Sequence, residues 1–323
     1  MNNTIAPAHV LVQFPIVKAV VRAMDTITDY VKKEYGHNVK KFTLAGLGLG
    51  GWISWLTAAV DKRVEAIIPV GMDFLNFTES FKHHYRAYCG WSYMMRPFYK
   101  MNITQELDNP RFQELASHLD PLEYNQRYAN VTKYIIVLSG DEFFPPDNSR
   151  FYFSQLEGKK RLLIMPNTDY GNLRKNELTE RIASFYFTMV QKIHEPLKIS
   201  WKMNMTNTSG TISVTAYNTY RVYSQHADTV GNTRRDFRMK IAAGNSSQDN
   251  PVKWIQTDVK EVKRNVYVKE VSFPGKGRRG FFFQIVFPKR KFGHFMETTE
   301  MLTMPDTYPC SDCHGDGCRG MIV

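Results

Sequence analysis

No run of apolar residues in this chain approaches the roughly 18–20 that a membrane-spanning helix needs, and mean hydropathy is −0.39, so a soluble protein with no membrane span is expected. The first residues, MNNTIAPAHVLVQFPIV, lack the basic stretch followed by an apolar stretch that makes a secretory leader. Acidic side chains are the scarcer charge, 31 Asp and Glu against 42 Lys and Arg, which leaves a formal net charge of +11. Much of the basic excess falls late, ending in Lys276, Arg278, Arg279, Lys289, Arg290 and Lys291. As solvated strand faces and turn tips these residues need no partner; gathered in one patch they would suit polyanionic glycans. No nucleic-acid-binding motif accompanies the charge, so nucleic acid is not expected as a partner. No internal repeat or low-complexity segment stands out.

Cysteine is sparse too, limited to Cys89, Cys310, Cys313 and Cys318. The tail PCSDCHGDGC reads in two ways. Cys310, Cys313, His314 and Cys318 have plausible zinc-ligand spacing, whereas an oxidising compartment would pair the thiols as disulfides, with three connectivities open to four cysteines. Asn-x-Ser/Thr sequons at Asn2, Asn76, Asn102, Asn130, Asn204, Asn207 and Asn245 exceed chance and favour an extracellular or secretory-pathway surface carrying glycans. The sequons speak for secretion and the first residues show no leader. A chain that begins downstream of its natural start reconciles the two.

What is present is a core of ample size, 43% of 323 residues being hydrophobic. Apolar side chains from Pro15 to Tyr35 recur at spacings of three and four, which predicts an amphipathic helix ended by Gly36. Lys41 to Leu44 reads as a short strand running into Ala45-Gly-Leu-Gly-Leu-Gly-Gly51, and Trp52 to Val60 as a buried helix. Further strands are predicted at Val64–Val70, Tyr134–Ser139 and Arg161–Met165, with helices at Asp147–Leu156 and Asn176–Ile193. This alternation predicts an α/β fold with a parallel sheet covered on both faces, in a first domain over residues 1–196. Residues 73–131 interrupt the rhythm as a cap insertion. Alternating, aromatic-rich runs from Leu197 onward predict an antiparallel β-sandwich over 197–303, and residues 304–323 form the cysteine-containing tail.

A strand, a tight glycine turn and a helix form a nucleophile elbow, which lifts one side chain above the sheet at the start of the helix. The outermost residue here is Gly48, which has no side chain to react. Gly46, Gly48 and Gly51 also satisfy a bare G-x-G-x-x-G, but no acidic ribose partner follows at a convincing place, and no cofactor is expected.

The segments GWISWLTAAVDKRVEAIIPVGMDFLN, CGWS, SGDEFFPPDNSRFYFSQL and MPNTDYGNL, in that order, resemble the PhoPQ-activated pathogenicity-related protein family, which includes a secreted autocrine repressor of cell proliferation. The resemblance implies a partial α/β-hydrolase-like parallel sheet followed by a β-domain. It also implies a triad: the family's serine position falls at Gly48, its acid at Asp141 in a G-D-x-F-F pattern, and its histidine, which follows P-N-x-x, at Tyr170. Nucleophile and base are both replaced. A serine hydroxyl needs an imidazole to take its proton, and the imidazole needs a carboxylate to orient it. The early strands of the full hydrolase sheet are also expected to be missing ahead of the elbow. The expected function is therefore binding outside the cell, as a signalling or regulatory ligand for a protein receptor. The alternative is an active esterase or peptidase with a displaced nucleophile, for which Ser54 and the cap residues His83 and His84 are the candidates.

Overall fold

The computed structural model of the chain describes residues 11–173, 175–191 and 197–323. The first apolar stripe forms α1 (Gln13–Tyr35), and its Val17 packs against Ile53 and Leu56 of α2 (Leu49–Val60). Gly36 closes α1 at φ 70°, its N–H donating to the Lys32 carbonyl at 3.1 Å. The later part of the stripe departs from the expected buried face: Ile27 and Tyr30 are 47% and 57% exposed.

Four parallel strands, β1 (Phe42–Leu47), β2 (Val64–Val70), β3 (Thr132–Leu138) and β4 (Lys160–Met165), pair in chain order. Strand β1 outlasts its expected end because the glycine-rich segment stays extended as far as Leu47. Both sheet faces are buried. Ile68, Tyr134, Ile136 and Leu163 belong to one apolar cluster, and Ile67, Ile135, Val137 and Leu162 to another with Trp55 of α2, the doubly covered pattern of a parallel sheet. Between β2 and β3 lie α3 (Phe77–Tyr88), α4 (Arg96–Lys100) and α5 (Pro110–Leu119), joined by tight turns.

The helix expected over Asp147–Leu156 is absent. Two 3-10 turns, Asn148–Phe151 and Phe153–Gln155, flank Tyr152 at φ −143°. Tertiary polar contacts override helical propensity here: Asp147 faces His83 and Arg235, and the Tyr152 hydroxyl reaches buried Asp73. After β4 comes α6 (Lys175–Phe185), continued by a wider turn at Tyr186–Val190. The expected helix end at Ile193 and the boundary at His194–Pro196 lie outside the described residues.

Antiparallel strands follow: β5 (Ile199–Met205), β6 (Ser209–Ala216), β7 (Arg221–Asp228), β8 (Lys240–Ala243), β9 (Ser246–Asp249), β10 (Ile255–Asp258), β11 (Glu261–Lys263), β12 (Val266–Ser272), β13 (Arg279–Arg290), β14 (Gly293–Thr298) and β15 (Leu302–Met304). They form a β11-β12-β6-β5 sheet, a β10-β7-β13-β14 sheet with β15 paired to β13, and a β8–β9 hairpin. Ile212 and Val214 of β6 and Phe281, Phe283 and Ile285 of β13 share a buried cluster with Tyr134 and Leu163 of the parallel sheet. Strand β14 also covers the β4 side of that sheet. The Tyr134 hydroxyl donates to the Met296 carbonyl at 2.6 Å, and the Ile164 N–H donates to Thr298 Oγ1 at 3.0 Å. The α/β layer and the β-sheets are thus packed into one another.

Candidate functional site at the β1–α2 elbow

Gly48 joins β1 to α2 at φ 54°, ψ −116°, a conformation that a Cβ makes costly. The helix begins at once, the Trp52 N–H donating to the Gly48 carbonyl at 3.1 Å. The backbones approach so closely that a Cβ on Gly46 would stand 2.2 Å from the Gly50 carbonyl carbon. At Gly48 itself, a Cβ would lie 2.9 Å from the Tyr170 hydroxyl oxygen. The phenol thus occupies the space into which an elbow side chain would project.

Tyr170 donates its hydroxyl to the Gly71 carbonyl, and its N–H reaches Glu142 Oε2 at 3.2 Å. Burial, with Asp141 and Glu142 nearby, raises its pKa well above the usual phenol value, so it stays neutral and unsuited to act as a base. Asp141 Oδ1 accepts the N–H groups of Phe143 at 2.6 Å and Phe144 at 3.2 Å. Its Oδ2 is buried without a partner among the described residues, and burial pushes the carboxyl well above the ordinary range. Gly48 and Tyr170 are in direct proximity, and Asp141 precedes Glu142 and Phe143, both of which touch Tyr170.

A cavity of about 380 Å³ opens over the elbow, lined by Leu47, Gly48, Leu49, Trp52, Met72, Phe74, Met95, Phe98, Phe143, Phe144 and Tyr170. The indole N–H of Trp52 is engaged by the Leu119 carbonyl and the Tyr170 hydroxyl by Gly71. The arrangement suits apolar contact. It offers no hydroxyl, thiol or imidazole at the elbow position.

The residues considered as substitutes are engaged elsewhere. Ser54 Oγ donates to the Gly50 carbonyl at 2.8 Å, the back-bond of a serine inside a helix. His84 Nε2 accepts the Ser92 N–H at 3.0 Å, and burial lowers its pKa well below the usual value. His83 lies on α3 with both ring nitrogens bonded, Nε2 to Asp147 at 2.8 Å and Nδ1 to the Tyr308 hydroxyl at 2.7 Å.

His83 leads to a polar node that sequence reasoning missed. Asp147 also accepts from Arg235 and, at 3.1 Å, from the Thr303 hydroxyl, while Asp306 bridges Arg235 at 2.6 Å and Arg150 at 2.8 Å. Although Asp147 is fully buried, the Arg235 charge holds its pKa well below the usual carboxylate range, with His83 and Arg150 adding to the effect. The partners lie 64 and 88 positions from Asp147 along the chain, so no local spacing announces them.

The tail corrects the zinc alternative. Cys310 is bonded to Cys89 at the end of α3, Cys313 to Cys318, and His314 Nδ1 pairs with Asp108 at 3.0 Å. No thiol remains for a metal, and no cluster of potential ligands occurs among the described residues. Two disulfides are consistent with an oxidising compartment. Asn102, Asn130, Asn204, Asn207 and Asn245 are exposed; Asn76 is only half-exposed, and its side-chain N–H donates to the Phe151 carbonyl at 3.2 Å. Asn2 lies outside the described residues.

The late cations do not gather in one patch. Arg278 is buried against Thr307 and Asn232, and Arg279 pairs with both oxygens of Asp228. Lys289, Arg290 and Lys291 sit at the far end of β13, about 30 Å away at strand rise. No helix among the described residues is long and apolar enough to cross a membrane.

Among solved structures, the chain resembles an acetyl xylan esterase from Paenibacillus sp. R4, with 15% identity, TM-score 0.41, and coverage of 54% of this chain and 52% of the esterase. It also resembles the Pyrococcus horikoshii acylaminoacyl peptidase, at 15% identity and TM-score 0.39, over 55% of this chain and 28% of the peptidase. These likenesses span about half of the first protein and under a third of the second. The autocrine proliferation repressor protein A of Dictyostelium discoideum is 30% identical over 339 residues, covering 99% of this chain and 68% of that protein. A profile of the PhoPQ-activated pathogenicity-related proteins matches residues 2–238. Matched by that profile over most of its length, and by the repressor protein from end to end, the chain belongs to the PhoPQ-activated pathogenicity-related protein family.

Proposed function

We propose that this protein is a catalytically degenerate α/β-hydrolase-fold protein that acts outside the cell by binding, as a signalling or regulatory ligand. One observation carries the reading: the elbow residue is Gly48, and the neutral Tyr170 phenol stands 2.9 Å from where its Cβ would be. A serine hydrolase needs a hydroxyl there, a basic imidazole beside it and an acid behind the imidazole. Here the elbow residue carries no hydroxyl, the neutral Tyr170 phenol crowds the space one would occupy and is unsuited to accept a proton, and Asp141 accepts backbone N–H groups instead. The name of the Dictyostelium relative, an autocrine repressor, supports a signalling role. The disulfides and exposed sequons support an extracellular one.

A serine-directed fluorophosphonate probe tests the degenerate site, since it reports an activated hydroxyl without requiring a known substrate. No labelling is expected. Labelling at Ser54 or any other serine would reveal an activated hydroxyl and overturn the degenerate-site reading in favour of an active hydrolase. On location, endoglycosidase treatment of the protein from its native host should increase its gel mobility, and an unchanged band would oppose secretion.

A further inference from the structure

A second site lies at the other end of the parallel sheet, where β4 begins and β5 passes beside it. A cleft of about 450 Å³ opens there, within the roughly 300–1,000 Å³ of small-ligand sites. Its walls combine aromatic faces with positive charge. Trp201 stacks on Phe153 with ring centroids 5.9 Å apart, its side chain hydrogen-bonded to Glu300, and Tyr217 stands 46% exposed nearby.

The charges of the lining do not cancel. Arg161 is matched by Glu297 at 2.9 Å, and its Nη2 donates to the Leu197 carbonyl at 2.6 Å. Glu297 is the only acidic residue of the lining. Lys160 donates to the Ser154 and Leu156 carbonyls; burial lowers its pKa, while Glu157 and Glu300 nearby act to raise it. Lys159 and Lys198 are exposed and make no ion pair among the described residues. Lys159 and Lys198 thus bring unpaired charge, and Lys160 a partly compensated one, to a cleft floored by aromatic rings.

We infer that this cleft binds an acidic saccharide, a sugar bearing carboxylate or sulfate groups, through Lys159, Lys160 and Lys198 with its ring against Trp201 and Tyr217. Sugars present flat apolar C–H faces that pack on aromatic rings, and lysines meet spread anionic substituents as point charges. Phosphate recognition favours a free arginine fork, and the arginine here is occupied by Glu297. A nucleic-acid strand needs a charged groove that tracks several phosphates, and this cleft is compact. The inference moves the expected glycan contact from the β13 cations to another part of the molecule and is independent of the elbow.

Calorimetric titration of the intact protein with a heparin tetrasaccharide, a hyaluronan tetrasaccharide and neutral maltotetraose tests it, with an oligothymidylate of similar charge as the competing polyanion. At least one acidic tetrasaccharide should bind and maltotetraose should not. Lys159→Ala with Lys198→Ala should weaken binding about tenfold or more, equivalent to about 1.4 kcal/mol, and Tyr217→Ala several-fold. All three substitutions are at exposed positions, so the fold should be kept, which circular dichroism can verify. Lys289→Ala with Arg290→Ala should leave binding unchanged. Absence of binding by both acidic sugars, equal loss in the Lys289/Arg290 variant, or tighter binding of the oligothymidylate would each overturn the inference.

Discussion

Asp141 and Asp147 sit six residues apart, both buried, yet their surroundings drive their carboxyl groups in opposite directions. Asp141 has two backbone N–H donors and an unpaired oxygen, and burial raises its pKa. Asp147 has Arg235, His83 and the Thr303 hydroxyl around it, and the cationic environment lowers its pKa despite the same burial. Desolvation acts on both; only Asp147 has charges close enough to overcome it. At the elbow the shifts come from burial, and the charge-compensated carboxylate lies instead where α3, the β3–β4 connection and the segment around Arg235 meet.

The largest test of this contrast is to break the node. Arg235→Met should destabilise the protein by about 3–5 kcal/mol, because a buried carboxylate loses its closest cation, as read from urea unfolding. A loss below about 1 kcal/mol would mean that the node is no more than a surface-like pair.

A second test uses pH. Burial raises the pKa of Asp73 to about 7, so the folded state keeps a proton that the unfolded chain releases near pH 4. Asp73 therefore costs stability progressively as pH rises from about 4 to about 7. Asp73→Asn, which retains an acceptor for the Tyr152 hydroxyl, should gain on the native protein by about 1.4 kcal/mol per pH unit across that window. Asp147 has the opposite sign: its stabilisation is present above its unfolded value near 4 and is lost as pH falls through the depressed folded value. Asp147→Asn should accordingly be worst at neutral pH and approach the native protein in acid. Urea unfolding at pH 3, 5 and 8 separates the two: the advantage of Asp73→Asn should grow from pH 5 to pH 8, while the penalty of Asp147→Asn should stay level over that range and shrink at pH 3, and parallel trends would break the comparison.

The smallest effect concerns the elbow. Gly48→Ala should cost about 1–3 kcal/mol from its positive φ and the approach of Tyr170. In a Tyr170→Phe background, which removes the close oxygen, the same change should cost less. A double-mutant cycle measures the difference, and no coupling would mean that Tyr170 does not fill the elbow space.

The strand–turn–helix around Gly48 was legible because its signals are local: an apolar strand, a run of small residues, then an apolar helix. The beginning of the antiparallel region was legible for the same reason, since period-two alternation can be read within a few residues. Asp147–Leu156 was misread because its helical spacing is real but its side chains are drawn to Asp73, His83 and Arg235. Of the two readings the sequence left open for the late cations, the solvated faces fit better than one patch, because proximity in sequence along a 12-residue strand is distance in space, and Arg278 is buried.

By itself, the sequence determined most of the element types, the absence of a side chain at Gly48 and the supply of four cysteines, all of which follow from local backbone preference or residue identity. Tertiary structure alone decided the Cys89–Cys310 and Cys313–Cys318 pairing, the placing of Tyr170 over the elbow, and the joining of His83, Asp147, Arg235 and Asp306. Each depends on groups far apart along the chain, whose approach is set by the burial of shared apolar surface.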